Sequence, residues 1–345
     1  MTDYAFFTGY SADIGFSGGL AVDVWDLTSI TRVGQATAPL FSGVLQSPGA
    51  LRINHAGTKL YVTNGVPGSS TAGLLGVFDL PSLTWNTWID LSAYCTGAAG
   101  IVIDASDTYA YVTGYTSGSV TQVDLASNTI VGNCATGVIG GGFTGVTIDA
   151  AGVNAYVVDP GGGNIVQIDT STMTVVTSVS FFGLGNGTAI DIEPAGGNLW
   201  ASGFLQITLP LTGASNFYSG PATESLYPGA VKVNHAGTKT YLITDYTSSQ
   251  FWAIDLSTFA VTGPITLPGT SGVGFNFGPT DIAVTPSDGR AIVSLNFAAY
   301  QFSVIDATTY AVTNYPSPQT GQSYFGADIG NYSPSAPTNQ IVMML

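Results

Sequence analysis

Seven times along the chain the same unit recurs: an apolar strand, a tight polar turn, a Tyr-rich strand, a loop, and a third strand that typically ends in Asp. The clearest copies are Leu51-Arg-Ile-Asn-His-Ala-Gly-Thr-Lys-Leu-Tyr-Val-Thr-Asn64 and Val231-Lys-Val-Asn-His-Ala-Gly-Thr-Lys-Thr-Tyr-Leu-Ile-Thr244. His55 and His235 hold the same place in each and lie 180 residues apart, four periods of 45. A period in the 40s built only from strand signals specifies a β-propeller. A chain of 345 residues would ordinarily divide into two domains. A repeat array instead buries one continuous core, so residues 1–345 read as a single all-β domain of seven four-stranded blades.

The innermost strands align as Ala50–Asn54, Gly100–Asp104, Gly145–Asp149, Ala189–Glu193, Ala230–Asn234, Asp281–Thr285 and Ala327–Asn331. Second strands include Tyr61-Val-Thr-Asn64 and Tyr111-Val-Thr-Gly114, and third strands end in Asp26, Asp79, Asp124, Asp169, Asp255 and Asp306. The fifth copy, near Ile207, has Thr208 where Asp is expected. Tyr4-Ala-Phe-Phe-Thr-Gly-Tyr10 matches Tyr109-Ala-Tyr-Val-Thr-Gly-Tyr115, so the chain begins at a second strand. Its missing inner strand is then Ala327–Asn331 from the other end, a closure that leaves no open sheet edge at the seam. Ile341–Leu345, within the tail 332–345, reads as an additional terminal strand that can pair at the seam or against a partner.

The literal Tyr61-Val-Thr-Asn64, the Asn-His-Ala-Gly-Thr-Lys turns and the Asp-Leu-x-Ser/Thr turns carry a family likeness. The chain resembles the YVTN-repeat β-propellers, a group that includes lactonase-like propellers and bacterial or archaeal surface proteins. The resemblance covers essentially the whole chain and implies the fold. It does not assign the chemistry, because a fold hosts many functions.

Only 8% of residues are charged, with six Lys and Arg against 21 Asp and Glu, a net charge of −15. Binding a phosphate backbone needs clustered Lys and Arg, so nucleic acid is not expected as a partner. Anionic membrane surfaces are disfavoured likewise, and no 18-residue apolar run exists to cross a bilayer as a helix. The surface is therefore mostly Ser, Thr, Asn, Gln and Gly, a composition closer to adhesins, surface-layer and virion proteins than to cytosolic enzymes. The N-terminal residues lack the basic and long apolar regions of a secretory signal. The expected location is extracellular, at the cell surface or on a virion, with the cytoplasm as the alternative. Cys95 and Cys134 are placed in loops after the last strands of consecutive blades, where a disulfide or two free thiols are both open.

Most residues that look catalytic belong to the repeat. The Asp of each Asp-x-x-Ser/Thr can accept backbone N–H bonds and hold the turn between third and fourth strands. Asn54, Asp104, Asp149 and Asn234 read as turn caps, and His55 and His235 as turn residues too far apart to act together. The copies differ at one inner-strand position, which carries Arg52, Val102, Thr147, Asp191, Lys232 and Ala283, with Asp281 and Asp328 nearby. Buried charges must be paired, so Arg52, Asp191, Lys232, Asp281 and Asp328 are expected as ion pairs in a water-lined channel. The functional reading of that set is a small polar ligand, or a cation such as Ca²⁺, at the channel mouth.

The loops entering each inner strand, with those between second and third strands, form one face of the disc. They carry Phe41, Tyr94, Phe143, Phe181, Phe182, Phe217, Tyr218, Tyr227, Phe275, Phe277, Tyr315, Tyr324 and Phe325. Some of these rings fill gaps between blades. A nearly uncharged aromatic face otherwise suits stacking on sugars or contact with a protein. No Arg triad, nucleophile elbow, phosphate loop or Cys/His metal spacing occurs. The reading that follows is a non-enzymatic propeller that binds a glycan or partner protein, with no resident cofactor. Its alternatives are a lactonase-like hydrolase with an acidic metal site at the channel mouth, and an assembly subunit docking through its C-terminal strand.

Overall fold

The computed structural model describes the chain except residues 1–2, 11–19, 43–45, 66–71, 137–144, 160–162, 181–188, 202–204, 212–217, 220–227, 245–248, 269–277, 297–299, 317–323 and 331–345. Its strands form seven four-stranded antiparallel sheets. Blade 1 comprises Tyr4–Tyr10, Leu20–Asp26 and Thr31–Thr37, with Tyr324–Gly330 as its inner strand. Blades 2 to 7 each use consecutive strands, with inner strands Leu51–Ile53, Ala98–Ile103, Val146–Ile148, Ile190–Ile192, Pro228–Val233 and Gly278–Val284. Every inner strand contacts that of the next blade around the whole circle, including blade 7 to blade 1 and blade 1 to blade 2. The ring is closed, and by the exchange that the two chain ends specify. No helix is long and apolar enough to cross a membrane among the described residues.

The motif Tyr61-Val-Thr-Asn64 shows how the period builds the ring. Alternate side chains of a strand face opposite ways. Tyr61 therefore packs with Ile101 and Ile103 of blade 3, while Val62 packs with Phe6 and Val22 of blade 1. Thr63 Oγ1 donates to the carbonyl of Ala99 (2.7 Å), which ties blade 2 to the inner strand of blade 3. Asn64 accepts from Leu74 N (2.8 Å) and donates to Ala72 O (2.9 Å), which fixes the loop before the third strand. Thr8, the Thr of the first copy, likewise donates to Gly49 O of blade 2 (2.6 Å).

The turns follow the sequence reading with one exception. Asp26, Asp124, Asp169, Asp255 and Asp306 each accept two backbone N–H bonds from the residues two and three positions on. Asp79 does not, because Pro81 occupies the position of the first donor and has no N–H. Its carboxylate turns instead to Lys59 and to Asn86 Nδ2 (2.9 Å). Asn54, Asp104, Asp149 and Asn234 cap their turns as read, each accepting from the backbone N–H groups four and five residues on.

Four inner strands extend further than the alignment indicates. Those of blades 1, 3, 6 and 7 begin at Tyr324, Ala98, Pro228 and Gly278, because an irregular pair beyond the regular ladder still bonds to the second strand. Cys134 is a second difference, since it lies inside the outer strand Thr129–Ala135 and not in a loop. Both cysteines are free and buried, in separate core clusters, so the disulfide does not form. Burial pushes the Cys95 thiol up to about 12.

Candidate functional site

Register places the variable inner-strand residues at one level. Arg52, Val102, Thr147, Asp191, Lys232 and Ala283 lie opposite Tyr61, Tyr111, Tyr156, Trp200, Tyr241 and Ile292, and Asp328 lies opposite Phe6 in the same row. Asp281 is one alternation earlier on blade 7, opposite Ser294. Arg52 of blade 2 approaches Asp281 of blade 7 at 3.5 Å, across the inner strand of blade 1. Lys232 meets Asp191 of the preceding blade at 3.2 Å. Arg52 is surrounded by protein yet keeps 30% of its side-chain surface accessible, the combination that an internal channel produces.

The carboxylates also join neighbouring blades. Asp328 accepts from Ile53 N of blade 2 (2.9 Å), Asp191 from Val233 N of blade 6 (2.9 Å) and Asp281 from Ala327 N of blade 1 (3.1 Å). Each thus binds the inner strand of the next blade. Burial pushes the Asp281 carboxyl above its ordinary range despite the opposing pull of Arg52 and these N–H donors. The Arg52 guanidinium, against the cost of burial, is held above its ordinary value by Asp281, Asp328 and Asp191. Among the described residues no three His, Cys, Asp or Glu are grouped so as to hold a metal ion.

The aromatic set divides. Tyr94 is 50% exposed on the loop that leads into blade 3. Its carbonyl accepts from Ser119 Oγ (2.7 Å), so the loop is tied to the start of the third strand of blade 3. Phe41 is partly exposed and lies edge-on to Trp88, with ring centroids 6.5 Å apart. Tyr324 is no surface ring, because it is 1% exposed and stacks on Phe7 at 4.7 Å. Its hydroxyl donates to the buried Asp23 (2.6 Å) and accepts from Trp25 Nε1 (3.1 Å). Phe7 stacks in turn on Phe302, and Phe302 on Tyr315, so Tyr324 and Tyr315 fill the seam between blades 1 and 7. Phe143, Phe181, Phe182, Phe217, Tyr227, Phe275 and Phe277 lie outside the described residues. Tyr218 and Phe325 lie on strands of blades 5 and 1, with their side chains outside the described part. Ile341–Leu345 is outside it as well.

His55 and His235 do not meet, as expected, but their turns have a role that was not legible. Asp107, in the matching turn of blade 3, accepts from His55 N (2.8 Å) and Ala56 N (2.8 Å) and contacts His55 Nδ1 (2.9 Å). Asp288 of blade 7 repeats these contacts with His235 and Ala236 of blade 6. Sequence reasoning also passed over Trp85 and Trp88, although Trp-Asn-Thr-Trp occurs on no other outer strand.

No protein-family model matches the sequence, and no curated protein does. Solved structures do. A putative 6-phosphogluconolactonase from Bacteroides uniformis superposes with a TM-score of 0.72 at 10% identity, over 95% of this chain and 99% of that one. The periplasmic gluconolactonase PpgL of Pseudomonas aeruginosa gives 0.70 at 14% identity, over 96% and 100%. Hydrazine synthase of Kuenenia stuttgartiensis gives 0.61 at 15% identity, over 78% and 80%. At such identities the likeness is one of fold: this chain shares the propeller of lactonase-like proteins, while the YVTN-repeat label rests on its motifs alone.

Proposed function

We propose that the chain is a binding propeller without catalytic chemistry, exposed outside the cell or on a virion. It recognises a glycan or a partner protein through its loop face. The observation that carries this reading is the state of the channel carboxylates. Asp191, Asp281 and Asp328 each accept a backbone N–H of the next blade, so the acids best placed for hydrolysis are occupied in joining the ring. The loop face meanwhile presents Tyr94 and Leu40, both at least half exposed, in a chain with few charges. A glycan array and a pull-down with purified protein test the reading. Capture of a ligand, weakened roughly tenfold or more by Tyr94→Ala, supports it. Absence of any ligand, with turnover of an aldonolactone, overturns it.

Lactone hydrolysis is the second reading, and one observation favours it: end-to-end likeness to a protein named as a putative 6-phosphogluconolactonase and to one named as a periplasmic gluconolactonase. On that reading Asp191, Asp281 and Asp328 would serve the site one by one, since they are not grouped so as to share a metal ion. Lactone turnover that Asp191→Ala abolishes while the variant stays folded would establish it.

A further inference from the structure

The outer strand of blade 2, Thr84–Asp90, carries two tryptophans three residues apart. On a regular strand that spacing would send them to opposite faces. A bulge prevents this: Phe78 pairs with Trp85 and Val77 with Thr87, leaving Asn86 as the extra residue. Trp85 and Trp88 therefore share the face turned towards blade 1, with ring centroids 4.9 Å apart. Gly76 makes room beneath them, since a Cβ there would lie 2.9 Å from Trp88 and 3.2 Å from Trp85. Phe41 abuts Trp88, Trp88 Nε1 donates to Pro39 O (3.0 Å), and Leu40 beside it is 53% exposed.

Filling the wedge between blades does not require so much aromatic volume. Trp252 lies over Gly263 and Met173 over Gly132, and each is only 7% exposed. In those places one large side chain closes the gap. At the rim between blades 1 and 2, two indoles and a phenyl ring occupy the equivalent wedge, and all three stay partly open to solvent. We infer that Trp85 and Trp88 form a stacking site for a neutral sugar ring on the rim of the propeller, adjoining the loop that carries Leu40 and Phe41.

Size and charge decide the class of occupant. A protein interface needs roughly 800 Å² from each partner. A whole aromatic side chain offers about 150–250 Å², and these are already half-buried, so the open remainder suits a pyranose ring and not a protein. The amphipathic face of a sugar stacks on an indole, while its hydroxyls stay in water at the open rim. The net charge of −15 disfavours an anionic glycan.

Titration of the full chain with neutral cello-, malto-, xylo- and chito-oligosaccharides, read by tryptophan emission and calorimetry, tests the site. Binding of at least one series is expected. Trp85→Ala should weaken it tenfold or more, and Trp85→Phe, which retains a ring for packing, should weaken it less. Val176→Ser, an exposed rim position on blade 4, should leave it unchanged. Absence of binding by every series overturns the inference. So does binding that survives Trp85→Ala but is lost in Tyr94→Ala, which would return the sugar to the loop face. Capture of a protein whose binding Trp85→Ala removes, with no sugar bound, overturns it in favour of a protein contact.

Discussion

Asp107 and Asp288 occupy the turn position that Gly57 and Gly237 fill in the neighbouring blades, and all four have positive φ, from 55° to 67°. Glycine adopts this conformation freely and aspartate tolerates it, so the repeat can exchange one for the other. The exchange adds a carboxylate that grips the backbone N–H groups of the preceding His-Ala turn. Partial burial raises the carboxyl, but these N–H donors and the imidazole outweigh it and hold both groups below their ordinary value. A carboxyl lowered on folding stabilises the fold above its unfolded value, and the contribution is lost as pH falls through the folded value. Asp107→Asn should therefore cost about 1–3 kcal/mol at pH 7. It should also flatten the loss of stability in acid, measured by urea unfolding from pH 7 down to pH 3. An unchanged acid limb would mean that the clasp contributes nothing. Turn caps such as Asp124 were legible because donor and acceptor are three residues apart. The bond from Tyr324 to Asp23 was not, because it spans 301 residues and joins strands whose pairing only the closed ring defines.

At the scale of strands, one irregularity recurs. The outer strand is bulged against the third strand in five of the blades, blades 1 to 4 and 6, while in blade 7 the extra residue, Gln301, is on the third strand. The extra residue is Val131 in blade 3 and Val176 in blade 4, and each is more than half exposed, as an unpaired bulge residue should be. The period of 45 revealed the strands, but it could not reveal the bulges. They add one residue without breaking the apolar pattern, so the spacing of Trp85 and Trp88 gives no sign of a shared face. Gly76→Ala tests their arrangement directly. The added methyl meets two indoles whose positions are fixed by Phe78 and by Pro39, so about 1–3 kcal/mol of overpacking is expected. Tryptophan emission should shift with it, whereas an unaltered spectrum and stability would show the indoles to be loosely held.

For the molecule as a whole, the decisive pairing is that of Tyr4–Tyr10 with Tyr324–Gly330. Bringing segments more than 300 residues apart together costs about 5 kcal/mol in loop entropy, which the stacked rings of Phe7, Tyr324 and Phe302 and the bonds of Thr8 help to offset. Deleting residues 324–345 should replace a single cooperative unfolding transition by a broad one and expose apolar surface to a hydrophobic dye. A sharp transition in the truncated chain would show that the ring holds without the inner strand of blade 1. Tyr4 lies directly opposite Gly330, at the end of blade 1 nearest the His-bearing turns. The first and last described strands therefore enter and leave the ring side by side, on the face opposite the aromatic loops.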